Sequence, residues 1–116
     1  MQFQLNSTNN IHSDQRLAEA VESIVRDDLE RFGERLTRVE IHVSDENSRV
    51  KGGGNDKKCL IEARLAGLDP SSVSHSAPSL EEAVRGASTK MQRKLDSLIG
   101  KLNNKHHEKL TKLEEE

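Results

Sequence analysis

Two periodicities of apolar residues divide this chain into six predicted elements. Apolar and polar residues alternate in four stretches, which is typical of strands with one buried face; they are residues 1–6, 38–44, 58–66 and, more weakly, 72–77. Apolar residues recur every three or four positions in two others, as in amphipathic helices; they are residues 13–32 and 79–102. The predicted order is therefore β-α-β-β-β-α.

The first predicted helix has clear signals at both ends. Ser13 or Asp14 can cap its start, and Gly33 can end it in a left-handed conformation. Its apolar face consists of Leu17, Val21, Ile24, Val25, Leu29 and Phe32. Asp28 falls near the middle of this face, and packing alone does not explain an acid there.

The second predicted helix opens with a capping box, in which Ser79 and Glu82 satisfy free N–H groups of the first turn. At about 100° per residue, its apolar residues share one face. They are Leu80, Val84, Ala87, Met91, Leu95, Leu98, Ile99 and Leu102. After Leu102 the apolar pattern thins.

Strands with one apolar face and two amphipathic helices predict an α+β fold: one four-stranded sheet with both helices packed on the same face. The other face would stay in water and carry Gln2, Gln4, Glu40, His42, Glu62 and Arg64. We expect residues 1–102 to form a single domain. Residues 103–116 are expected to be a charged C-terminal extension, either a frayed helix or disordered.

Composition narrows the function. The chain has 116 residues, of which 32% are hydrophobic and 33% charged, with two Phe and neither Trp nor Tyr. The chain therefore has too few aromatic rings to bind single-stranded nucleic acid mainly by stacking on its bases. Cys59 is the single cysteine, so no disulfide can form within the chain. The first ten residues lack signal-peptide character. No run of apolar residues approaches the ~20 that a membrane span needs. These features predict a cytoplasmic protein without a membrane partner.

No catalytic or metal-binding pattern emerges. The five histidines are scattered, and CxxC, HExxH and GxSxG motifs are absent from the sequence. Cys59 lies at an inward strand position, which favours a small buried hydrophobe over a nucleophile. We therefore expect no enzyme activity, no cofactor, no metal and no small-molecule substrate.

Charge is unevenly distributed. The net charge is −2, but residues 79–112 carry eight basic against four acidic side chains. On a helix, Lys90, Lys94, Lys101 and Lys105 fall along one flank of the apolar face with Arg93 nearby, and Glu81, Glu82 and Asp96 fall on the other. Such a ridge can bind phosphates without reading bases, and folded RNA would be its target. Lysines on a surface helix are also commonly solvated residues without a partner, and this alternative stays open.

Two sets of spaced residues resemble the ribosome hibernation-promoting factors, a family also called ribosome-associated translation inhibitors or sigma 54 modulation proteins. The first set is Ser79-Leu80, Ala83-Val84, Gly86, Lys90-Met91, Arg93 and Leu95. The second is Leu29-Glu30, Phe32, Arg35-Leu36 and Val39. The resemblance extends to about Lys105 and corresponds to a short form without a second, dimerising domain.

The resemblance implies a non-enzymatic protein that binds 16S rRNA in the small ribosomal subunit and blocks translation under stress. Matched position by position, Lys90, Arg93 and Lys94 correspond to the family's rRNA-facing basic residues. Lys101 and Lys105 extend that ridge by helix geometry alone. Neither sequence nor resemblance predicts an oligomeric state.

The chain also departs from the family pattern. Val25 and Asp28 stand where the first helix usually carries lysines, and Glu81 replaces an aromatic residue after the second-helix cap. The loop between the second and third strands is longer and contains three consecutive glycines. The alternative is therefore a protein-interaction or regulatory module on the same fold that has lost ribosome binding.

Overall fold

The computed structural model describes residues 2–8, 15–45 and 57–115, and the side chains of residues 2–7, 15–45 and 57–102. The elements are β1 (Gln2–Thr8), α1 (Gln15–Leu29), a 3₁₀ segment (Glu30–Arg35), β2 (Leu36–Asp45), β3 (Lys57–Leu65), β4 (Ser71–Ala77) and α2 (Leu80–Glu115). This order confirms the predicted β-α-β-β-β-α arrangement. Within the described ranges, none of the helices combines the length and the apolar character that crossing a bilayer requires.

The four strands form one mixed sheet in the order β1-β2-β3-β4. β1 runs parallel to β2, whereas β3 is antiparallel to both β2 and β4. The register places Ile41 opposite Ile61, and Ile61 opposite Val73, so the apolar residues of adjacent strands fall on the same face. β1 and β4 are consequently the edge strands of this sheet.

Both helices pack on the apolar face of the sheet, as predicted. The core that they share with the strands includes Val21, Val25, Leu29, Phe32, Leu36, Val39, Ile41, Val43, Cys59, Ile61, Ala63, Leu65, Ala77, Ala83, Val84, Ala87, Met91 and Leu95. The opposite face is not covered by any described element. On it, Gln2, Gln4 and Arg64 are exposed, while Glu40, His42 and Glu62 are half-buried because they lie on inner strands.

The first helix ends earlier than its apolar pattern suggests. α1 stops at Leu29, and the chain continues as the 3₁₀ segment, which carries Phe32 into the core. Gly33 interrupts this segment with a φ of +57°, a conformation that residues with a Cβ adopt only at a cost. The predicted caps, Ser13 and Asp14, lie outside the described residues, as does the glycine-rich loop at residues 46–56.

The acid in the apolar face of α1 has a structural partner. Asp28 is half-buried, and its Oδ2 accepts a hydrogen bond of 2.7 Å from the hydroxyl of Ser88 on α2. Ser88 is itself completely buried. A buried polar group without a partner costs free energy. The hydrogen bond between Asp28 and Ser88 removes that cost for both side chains at the contact between the helices.

The second helix begins with one half of the predicted capping box, since Glu82 makes no return bond to the N–H of Ser79 among the described residues. The hydroxyl of Ser79 accepts a hydrogen bond of 3.2 Å from the N–H of Glu82. The apolar face is buried from Val84 to Leu95, but Leu102 is 45% exposed, so its predicted place in the core is wrong. Lys94 already lies beside Ser72, the second residue of β4, and Leu102 is eight residues, or about 12 Å, farther along the axis. The helix has therefore passed the strand on which Leu102 would pack.

Candidate nucleic-acid interface

α2 lies unusually close to the edge strand β4, because the helix has a glycine at the contact. A Cβ added to Gly86 would sit 2.1 Å from Cδ2 and 2.5 Å from Cγ of His75 on β4. The imidazole therefore occupies the space that any other residue at position 86 would need. The helix therefore packs closely against β4 around Gly86. As a result, side chains one and two turns farther along α2 can reach the backbone of β4.

Two of the predicted ridge lysines meet at this edge. Lys90 Nζ donates a hydrogen bond of 2.9 Å to the carbonyl of Ser74, and Lys94 Nζ donates one of 3.2 Å to the carbonyl of Ser72. Both lysines are exposed. A neutral carbonyl orients an ammonium group without cancelling its charge, so each side chain remains a cation held at a defined place.

The remaining ridge residues follow the same helix. Arg93 and Lys101 are exposed, and neither forms a hydrogen bond or an ion pair with any described residue. Lys101 lies seven residues beyond Lys94, about 10 Å along the axis and on nearly the same side. The side chain of Lys105 lies outside the described residues. The structure thus brings Lys90 and Lys94 together and leaves Arg93 and Lys101 as separate cations beside them.

Two acidic residues of α2, Asp96 and Glu81, form ion pairs with arginines away from the lysines. Asp96 accepts two hydrogen bonds, of 2.7 and 2.6 Å, from the guanidinium of Arg31, which also lies over the Phe32 ring. Hydrogen bonding to Arg31 lowers the pKa of Asp96, and the same bonds raise the pKa of Arg31. Glu81 forms a similar ion pair with Arg85, one helical turn along α2, with 3.1 Å between Oε1 of Glu81 and Nη2 of Arg85. These carboxylates therefore neutralise arginines and leave the lysine flank positive.

The part of the chain that the structure describes offers neither a metal site nor a reactive cysteine. No group of three or more His, Cys, Asp or Glu side chains there could hold a metal ion. Cys59 is buried in β3, and desolvation raises the pKa of its thiol to about 12. The thiolate that nucleophilic chemistry requires is therefore suppressed.

Sequence reasoning missed the strand partners of the lysines. Periodicity identified β4 as a strand but carried no signal that it lies at the edge of the sheet, where the carbonyls of Ser72 and Ser74 are accessible. It also missed Arg31, since the partner Asp96 is 65 residues away. In both cases the contacts join segments that are distant in the chain.

Comparison with known proteins identifies the fold and the family. The N-terminal domain of Thermus thermophilus Protein Y superimposes with a TM-score of 0.67 at 14% sequence identity, over 84% of this chain and 99% of that one. A ribosomal subunit interface protein from Coxiella burnetii gives 0.64 at 13% identity, over 86% and 99%. No curated protein sequence matches significantly.

The family assignment comes from sequence rather than from the superpositions. A model of the family described as Sigma 54 modulation protein / S30EA ribosomal protein matches residues 6–111, which is most of the chain. The match includes the first helix, the three strands that follow it and the whole lysine ridge. This chain belongs to the Sigma 54 modulation protein / S30EA ribosomal protein family.

Proposed function

We propose that this protein binds the small ribosomal subunit through α2 and the edge of β4, contacts phosphates of 16S rRNA and inhibits translation under stress. The binding residues are Lys90, Arg93, Lys94 and Lys101, with Lys105 continuing the ridge by helix geometry. No covalent chemistry is involved, because occupying the path of mRNA and tRNA is sufficient to stop translation. Ribosome binding would take place in the cytoplasm.

One observation carries the proposal: the four ridge cations whose side chains the structure describes, from Lys90 to Lys101, are not neutralised by carboxylates. Lys90 and Lys94 bond to backbone carbonyls, and Arg93 has no partner among the described residues. Meanwhile two acids on the opposite flank of the helix, Asp96 and Glu81, are paired with arginines. A chain with a net charge of −2 thereby presents a local positive surface, which is what binding to a phosphate backbone requires.

Family membership supports the ribosome as the partner. The family description includes a ribosomal protein, and one protein of similar fold is described as a ribosomal subunit interface protein. The near absence of aromatic side chains favours recognition of folded RNA by shape and backbone over stacking on single strands.

The direct test reverses the ridge charges in one variant, Lys90→Glu, Arg93→Glu and Lys94→Glu. Binding of the purified protein to isolated 30S subunits is measured at several salt concentrations. Each phosphate contact contributes about 0.7–0.9 to the slope of log K against log salt. We therefore expect the slope to fall by about two to three and the affinity at moderate salt to fall at least a hundredfold. Inhibition of in-vitro translation should be lost in parallel.

The matched control reverses three exposed arginines away from the ridge, Arg16→Glu, Arg35→Glu and Arg85→Glu, and so changes the total charge equally. It should retain most of the binding, because Arg85 lies on the opposite flank of the same helix. Equal losses in both variants would mean that net charge, rather than the ridge, drives association. Unchanged binding of the ridge variant would refute the proposal.

The alternative, a protein-interaction module without ribosome affinity, predicts a partner that RNase treatment does not release. Such a module would bind its partner through the exposed face of the sheet or through the acidic flank of α2. Two of the acids on that flank, Asp96 and Glu81, are already paired with Arg31 and Arg85. The described residues therefore favour the ribosomal partner.

A further inference from the structure

The free edge of β4 differs from an ordinary sheet edge. An edge strand normally presents alternating carbonyl acceptors and N–H donors, which is a template for another strand. In β4, two of the carbonyls on this edge, those of Ser72 and Ser74, are already taken by Lys94 and Lys90. A strand that approached this edge would find these acceptors blocked.

The direction of the remaining backbone groups follows from the antiparallel pairing of β4 with β3. In such a strand, the N–H and C=O of one residue point to the same side, and the next residue points to the other. Since the carbonyls of Ser72 and Ser74 face the lysines at the edge, their N–H groups face it too. Ser76 has the same parity, so its N–H also points away from β3.

The side chains of these serines add further donors. Ser72, Ser74 and Ser76 are all exposed and project from the uncovered face of the sheet. The edge therefore carries, side by side, ammonium groups from α2, backbone N–H groups from β4 and serine hydroxyls. Donors therefore outnumber acceptors at the Ser72–Ser74 part of this edge, because both of its carbonyls already accept hydrogen bonds from lysines and each serine hydroxyl can donate.

We propose that the β4 edge is itself part of the RNA-binding surface, with a phosphodiester backbone lying along it and accepting hydrogen bonds from the N–H of Ser74 and its neighbours. A phosphodiester supplies acceptors and negative charge and no donors, so it complements an edge that is rich in donors and carries two ammonium groups. Charge-assisted bonds of this kind are among the stronger hydrogen bonds in proteins. This inference rests on the proposed function, because it concerns the same ligand and the same site.

Neighbouring charges give the edge a polarity. In the register of the sheet, Ser72 lies opposite Glu62, whereas Ser76 lies opposite Lys58. The carboxylate of Glu62 repels a phosphate at the Ser72 end of the edge. We therefore place the closest contact at Ser74 and toward Ser76, where Lys90 is also nearest.

The test removes a single backbone donor with the variant Ser74→Pro. Proline lacks the N–H and is tolerated on an edge strand where that N–H faces solvent. Ser74→Ala is the matched variant, because it deletes the hydroxyl and keeps the N–H. We expect Ser74→Pro to bind 30S subunits about tenfold more weakly than Ser74→Ala, a free-energy difference of about 1.4 kcal/mol. The salt slope should not change, since no charge is removed.

A second measurement uses the unmodified protein and so does not depend on how well the proline variant folds. Hydrogen–deuterium exchange at the amides of Ser72, Ser74 and Ser76 should be fast in the free protein and slow when 30S subunits are bound. If these amides stay unprotected, or if Ser74→Pro binds like Ser74→Ala, the edge contact is refuted. The proposed function survives that outcome as long as the ridge charge-reversal variant loses binding, and it fails separately if that variant does not.

Discussion

The contact between Gly86 and His75 predicts how the substitution Gly86→Ala changes stability. Whether it raises or lowers the free energy of unfolding depends on the presence of His75. Replacing Gly86 by alanine in the middle of a helix normally stabilises it by about 0.8–1.0 kcal/mol, because glycine has the lower helix propensity. Here the added methyl would meet the His75 ring at 2.1–2.5 Å, well inside the 3.4–4 Å of ordinary contact. Rotation of the ring about the Cβ–Cγ bond cannot relieve this overlap, because Cγ lies on the rotation axis; the whole imidazole would have to leave its place between α2 and β4.

The expected magnitude follows from these opposing effects. Overpacking of this kind costs about 1–3 kcal/mol, which exceeds the gain in helix propensity. We therefore expect Gly86→Ala to lower the free energy of unfolding by about 1 kcal/mol. In a His75→Ala background the obstruction is gone, and the same substitution should raise the free energy of unfolding by nearly 1 kcal/mol.

The assay is urea unfolding followed by far-ultraviolet circular dichroism for the wild type, both single variants and the double variant. The four values form a double-mutant cycle with an expected coupling of about 2 kcal/mol between the two sites. Binding to 30S subunits should weaken in Gly86→Ala and recover in the double variant, since displacing α2 moves Lys90 away from Ser74. If Gly86→Ala has the same effect with and without His75, the close seating of the helix on β4 is wrong.

Two further predictions concern titratable groups. Because Arg31 lowers the pKa of Asp96 from its usual 3.8, the pair contributes stability that is complete above about pH 4 and is lost as the pH falls through the lower, folded-state pKa. The free energy of unfolding of the wild type should therefore exceed that of Asp96→Asn above about pH 4, and the difference should shrink as the pH falls below 4. Urea unfolding at a series of acidic pH values measures this difference; a difference that does not change with pH would mean that the pair is not formed. Cys59, with a pKa of about 12, should resist iodoacetamide at pH ~8 in the native protein and react after unfolding; rapid native labelling would show that its strand opens readily.

Local sequence signals determined the element order and the buried faces. Strand alternation and helical periodicity act over a few residues, so Val39, Ile41 and Val43 could be assigned inward without any knowledge of the partner strands. The cap at Ser79 and the positive φ at Gly33 are likewise local, and the structure confirms both. The charge sorting along α2 could also be seen in advance, since helix geometry alone separates the lysines from the acids.

Contacts between distant segments were decided by the tertiary structure. Local patterns could not indicate that β4 would be an edge strand, and hence that Lys90 would donate to the carbonyl of Ser74 rather than to water or an acid. They could not explain Asp28, whose partner Ser88 is 60 residues away, and they placed Leu102 in a core that ends before it. Periodicity reports which face of an element is buried, but the packing of the elements decides what that face meets.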